Sequence, residues 1–224
     1  MNNKTKTFIT VIPLQRRGQL SPVHYIPVGC DELDYEDTRF PIIPVIAHHA
    51  KGEKSIRVIS VIIDGTNAEE NSKHFDDAIT AVKNKLKVNI ESTVIKTPDE
   101  ETIDTHLKLF ADLIEVIRPN EELYACNTYG TKPTPMAVNL ALNYADGCVP
   151  NTKVKRIVYG RYDHPVKDGE VVTGHVGYLY DITPLFFMDA IVNKLAEMKS
   201  PDPEKAIRII MGLDLVEDED DGEE

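Results

Sequence analysis

The chain has 224 residues, 42% of them hydrophobic, enough for one sizeable core or for one domain with a small appendage. No apolar run approaches the ~20 residues that a bilayer-spanning helix needs, and the first ten residues read as polar and strand-forming, unlike a signal peptide. The expectation is a cytoplasmic protein with no membrane partner. The formal charge of −12 is unevenly spread: residues 214–224 hold eight of the 37 acids and no base, leaving 29 acids against 25 bases elsewhere. A nearly balanced body has room for a local cationic pocket, and nothing in it argues for a DNA-binding surface.

Taken in chain order, Thr7-Phe-Ile-Thr-Val-Ile-Pro-Leu14 is a β-branched run that predicts a central strand, closed by the polar turn Gln15-Arg-Arg-Gly-Gln19. Val23–Val28 predicts a short second strand, and 41–49 is too short and proline-interrupted to assign. Ser55–Ile63 is nearly continuous in apolar residues, as a buried strand should be, and ends in Asp64-Gly-Thr-Asn67. In 68–86 the residues Phe75, Ile79, Val82 and Leu86 recur at helical spacing. A strand over 88–95 follows. Thr97-Pro-Asp-Glu-Glu then reads as a helix start with a cap, a proline in the first turn and acids behind it, leading into the amphipathic stretch 103–117.

A strand over 122–126, a helix over 135–145 and a strand over 154–159 complete the alternation. Strands separated by helices of this length predict an α/β, Rossmann-like fold, a mostly parallel sheet with helices on both faces. The hydrophilic stretch 160–177 predicts a hairpin or excursion. Tyr178 to Phe187 leads through Thr183-Pro184 into a helix over 186–198, and a last helical turn spans 203–211. The domain reading is 1–198 for the sheet domain, 199–213 for a short C-terminal helical extension, and 214–224 for an acidic, self-repelling, disordered tail. That tail has two further readings, a linker and a contact for an effector protein.

The segment that points to chemistry is Asn127-Thr-Tyr-Gly-Thr-Lys-Pro-Thr-Pro-Met136, a polar glycine-bearing loop between a strand and a helix. In a parallel sheet such a loop sits at the carboxyl ends of the strands, where ligands bind. The N–H groups of Tyr129, Gly130 and Thr131, ahead of a helix and beside the Lys132 cation, suit a phosphate. Gln15, Arg16 and Arg17 lie on the same rim, as does Arg161 after its own strand. A plain β-α turn capped by Thr131 or Thr134, with solvated arginines nearby, is the alternative.

Three cysteines, Cys30, Cys126 and Cys148, show no C-x-x-C pairing and read as reduced, partly buried thiols, with a nucleophilic Cys126 as the minor alternative. The seven histidines are scattered and none lies in the loop. His48 and His49 read as pointing to opposite faces of a strand, with no third ligand, so no metal site is expected. No G-x-G-x-x-G follows the first strand, and no G-x-x-x-x-G-K-[ST] occurs, which weighs against a dinucleotide- or nucleoside-triphosphate-dependent metabolic enzyme.

Taken together, the opening strand and loop up to Tyr25, the Asn127–Pro135 segment with its helix through Tyr144, Ile157-Val-Tyr-Gly160 and Tyr180-Asp-Ile-Thr-Pro-Leu185 resemble the CARF family, the CRISPR-associated Rossmann-fold domains that sense cyclic oligoadenylates in type III systems. The order and spacing of these segments cover roughly 180 residues. Where many relatives are similar to D-x-T-H-G-x-R-x-x-P, this chain has Asn127, Tyr129 and Lys132, closer to a G-T-K variant.

The resemblance implies a homodimer whose twofold axis passes through the ligand site, and a chain without the usual C-terminal effector. It implies binding of cyclic tetra-adenylate more than hexa-adenylate through Gln15, Arg16, Asn127, Thr128, Tyr129, Gly130, Thr131, Lys132, Pro133, Thr134 and Arg161. Lys132 and Thr131 are the expected catalytic pair of a slow, metal-independent ring nuclease that needs no cofactor, since a 2′-hydroxyl can attack its own phosphodiester once geometry is held and charge neutralised. A sensor that binds without cutting is the alternative.

Overall fold

The computed structural model describes residues 4–15, 20–162, 166–167, 170–171 and 175–212. The chain divides into two compact units, Met1–Thr183 and Pro184–Glu224. In the first, seven strands form one sheet: β1 (Thr5–Ile12), β2 (Val23–Val28), β3 (Ser55–Ile63), β4 (Asn89–Thr97), β5 (Glu121–Cys126), β6 (Lys153–Tyr162) and β9 (His175–Asp181). Their spatial order is β2-β9-β6-β5-β1-β3-β4. All neighbours are parallel except β6 and β9, so β2 and β9 run against the other five. The expected hydrophilic excursion contains a two-stranded antiparallel hairpin of β7 (Val166–Lys167) and β8 (Glu170–Val171).

Four helices cover this sheet: α1 (Ile42–His49), α2 (Ala68–Leu86), α3 (Ile103–Val116) and α4 (Pro133–Cys148). The first two pack together against β1, β3 and β5, while the last two pack together over β4 and β6. Helices therefore clothe both faces of a mostly parallel sheet, which is the Rossmann-like α/β arrangement. The central strands are buried on both sides, with Phe8, Ile9, Ile59, Val61, Leu123 and Ala125 at or below 1% exposure. On the α1/α2 side Phe8 stacks on Tyr124 at 5.0 Å, and Phe40 meets the edge of Phe75 at 5.1 Å.

At the amino end of the sheet a buried ion pair joins Arg57 to Glu121, and Arg57 Nη2 also donates to the Val116 carbonyl at 3.1 Å. Burying both charges is tolerable because each has further hydrogen bonds, Glu121 accepting the Arg118 N–H at 3.0 Å.

The second unit carries the rest of α5 (Thr183–Glu197) and α6 (Pro203–Ile210), the latter capped by Asp202, whose Oδ1 accepts the Lys205 N–H at 3.0 Å.

Two local expectations are corrected. His48 and His49 lie not on a strand but in the last turn of α1 (Ile42–His49), a helix the unassigned segment can form because Pro44 falls in its first turn, where a missing N–H costs nothing. Thr97 is not a helix cap but the last residue of β4, in register with Ile63 and accepting the Asp64 N–H at 2.8 Å. The cap of α3 is Thr102, whose hydroxyl accepts the Thr105 N–H at 3.2 Å. The predicted tail at 214–224 lies outside the described residues.

Candidate functional site

Counting only the five parallel strands, the order is β4-β3-β1-β5-β6, so the chain winds outward from β1 in one direction and then, at β5, in the other. The reversal makes the carboxyl ends of β1 and β5 a topological switch point, the position at which sheets of this kind bind their ligands. Gln15 follows β1 and the segment 127–132 follows β5, both at this carboxyl edge.

After β1, Asn71 of α2 donates from Nδ2 to the carbonyls of Pro13 at 2.7 Å and Gln15 at 3.0 Å, which pins the exit of the strand. Gln15 Oε1 is shielded from solvent and, among the described residues, has no hydrogen-bond partner. Arg16 and Arg17 lie outside the described residues.

After β5, the Asn127 N–H donates to the Val158 carbonyl at 3.0 Å, prolonging the ladder by one rung. The Asn127 side chain donates to Asn139 Oδ1 of α4 at 2.8 Å while its own Oδ1 is buried with no partner among the described residues. Thr128 Oγ1 accepts the Gly160 N–H at 2.7 Å and lies 3.1 Å from Cys126 Sγ. Tyr129 is buried at 5% exposure and its hydroxyl donates to the Arg39 carbonyl at 2.7 Å. Burial, reinforced by Tyr25 and Tyr162, holds its phenol well above the ordinary range.

The side chains of Thr128 and Tyr129 are thus committed to the fold, and what they present to a ligand is main chain. Among the described residues the N–H groups of Tyr129, Gly130 and Thr131 have no hydrogen-bond partner. Gly130 takes φ +105, a conformation that side chains resist, and that turn leads the three amides into the start of α4. Lys132 is exposed at the N-cap position, Pro133 opens the first turn, and Thr134, buried, sits with its hydroxyl 3.1 Å from that of Thr131. Arg161 is exposed near the end of β6, opposite Tyr178 of β9.

Cys126 is fully buried and its thiol is pushed up to about 11 by burial, against the role of nucleophile. Among the described residues no group of three or more His, Cys, Asp or Glu is placed to hold a metal ion, and no helix is long and apolar enough to cross a membrane.

One residue escaped the reading of the sequence. His106 lies in the first turn of α3 and lines a small cavity together with Thr131 and Thr134. The signal available was Thr102, by residue type as good a cap as Thr97; placing the helix start there puts His106 in the first turn of α3.

The fold and rim together define an α/β protein with an anion-suited turn at the topological switch point. No protein-family model matches the chain, and no curated protein matches it.

Proposed function

We propose that the protein is a cytoplasmic, homodimeric receptor for cyclic tetra-adenylate in type III CRISPR signalling that slowly linearises its ligand. The observation that carries the reading is the trio of N–H groups at 129–131, without a partner among the described residues, joined to Lys132 at the head of α4 and set at the switch point of the sheet. A near-neutral body can hold a ring of four phosphates only with such local dipoles and a few cations. Gln15 Oε1 and Asn127 Oδ1, both without partners among the described residues, are acceptors suited to an adenine amino group.

The dimer is supported by an asymmetry between the helical layers. Neither α1 nor α2 has a large exposed apolar side chain, whereas α4 presents Met136, Leu140 and Tyr144 at 66%, 54% and 40% exposure, and α3 presents Ile103 and Leu107. Residues four apart fall on one helix face. A twofold axis running along α4 would bury this stripe against its copy and bring both Lys132 residues to the same rim.

The test is a thermal-shift and product assay with cyclic tetra-adenylate, cyclic hexa-adenylate, ATP and NAD. Saturation at 100 times the dissociation constant should add about 2.7 kcal/mol of stability for the tetra-adenylate ring. Lys132→Ala, which removes a charge-assisted contact, should weaken binding about tenfold or more. Response to NAD or ATP alone would overturn the reading, and binding with no linear product at saturating enzyme would reduce it to a sensor.

A further inference from the structure

Resting on that reading, we infer that His106 of α3 is a positioning residue for ring cleavage, taking up a proton from the 2′-hydroxyl through a water and the Thr131 hydroxyl. Both ring nitrogens of His106 are shielded from solvent, and among the described residues neither has a hydrogen-bond partner. A buried imidazole with two unsatisfied nitrogens is costly, because one must donate and the other accept. Its cavity measures about 10 Å³ and is also walled by Thr131 and Thr134, the hydroxyl pair at the head of α4. That is room for about one water, which would find its polar partners in the imidazole and the two hydroxyls.

The charged groups on this cavity come from the turn between β4 and α3, namely Asp99, Glu100 and Glu101. From the ends of β3 and β4 it receives Ile63 and Thr97, from the loop before α4 Thr131, and from α4 Thr134. With three acidic residues among its lining, the cavity is ill-suited to phosphate and well suited to a proton acceptor. Phosphate belongs on the other side of Thr131, at the amides and Lys132.

The reaction then balances. The 2′-oxygen bonds to phosphorus as its proton passes to Thr131 Oγ1, which gives its own through the water to His106. The bond from phosphorus to the 5′-oxygen breaks, and that oxygen takes a proton from the Lys132 ammonium. The products are a 2′,3′-cyclic phosphate and a 5′-hydroxyl, with no oxidant or cofactor required. His106 then gives its proton to solvent and the Lys132 amine takes one up, which resets both groups.

The experiment measures binding and single-turnover cleavage of cyclic tetra-adenylate separately, in the parent protein and in His106→Ala and His106→Gln, across pH. Binding should stay within about threefold of the parent, while cleavage falls about 100-fold, the usual contribution of a proton acceptor. The acid limb of the rate–pH profile should disappear in both variants, and added imidazole should restore part of the rate in His106→Ala. Should a variant fold poorly, the ¹⁵N resonances of His106 in the parent protein supply the check, since they should move when the ring is bound. Cleavage and pH profile unchanged in a folded variant would overturn the role of His106 alone. A parent that binds but never cleaves, or histidine resonances that ignore the ligand, overturns it equally, and a parent that does not bind overturns the receptor reading with it.

Discussion

At the scale of single residues, the site depends most on Gly130. Its φ of +105 is a conformation that a Cβ makes strained, and a Cβ built there would fall 2.8 Å from Thr134 Cβ. Thr134 is buried, so it has little room to give. Gly130→Ala should therefore cost about 1–3 kcal/mol of stability in urea unfolding and weaken cyclic tetra-adenylate binding by turning the three amides. Gly147, in the last turn of the same helix, meets nothing within 4 Å. There Gly147→Ala should be neutral or stabilising by about 0.5 kcal/mol and leave binding alone. If both variants behaved alike, the turn at 130 would carry no special strain. The placement of this loop was legible from residue types alone: Gly130, Thr131 and Lys132 stand between a strand and a helix, and the structure sets them at the head of α4. What could not be read was the fate of Thr128 and Tyr129, since their inward hydrogen bonds are made to Gly160 and Arg39, distant in sequence.

At the scale of elements, strong periodicity marked its own ends. α2 spans the 68–86 stretch that Phe75, Ile79, Val82 and Leu86 outlined, and β3 fills the 55–63 run of β-branched residues. The start of α3 was less legible because two threonines five residues apart are both good caps, and the choice fell to a tertiary fact, the pairing of Thr97 with Ile63. That displacement decides whether His106 faces the rim or the middle of the layer. The outward stripe of α4 was equally invisible, because apolar residues at 136, 140 and 144 look like core until the inward face, Ala137, Val138, Ala141, Leu142 and Ala145, is seen to be filled already. Leu140→Glu and Tyr144→Lys should convert a dimer to a monomer in analytical ultracentrifugation with the circular dichroism spectrum unchanged. Ring binding should fall with the dimer. A parent that is monomeric at all concentrations would remove the stripe as an interface.

At the scale of the whole molecule, the alternation of strands and helices announced a wound sheet, but the order of its strands followed from crossovers that no local pattern encodes. The switch point arises only because β5 returns to the free side of β1. The α1/α2 face of that sheet is knitted together at His49, the last residue of α1: its carbonyl accepts from Lys6 Nζ of β1 at 2.9 Å and its ring lies 4.4 Å from that of Tyr124 on β5. Burial, then the neighbouring His48, Arg156 and Lys6, hold its imidazole down to about 4, against roughly 6.5 in an unfolded chain. The unfolded chain thus binds the proton more readily between these values. The neutral ring contributes its full stability above about pH 6.5, and that contribution drains away as pH falls towards 4. Discounted for the partial solvation of the ring, the loss should be about 2 kcal/mol across this window. Carboxylates held down by arginines, Glu32 by Arg156 and Glu91 by Arg118, release their stabilisation at lower pH and do not mimic it. Urea unfolding at about pH 7 and about pH 5 should accordingly show His49→Phe, which keeps a ring against Tyr124 but cannot charge, losing less stability than the parent. Equal losses in the two proteins would mean that some other group governs the acid limit of this fold.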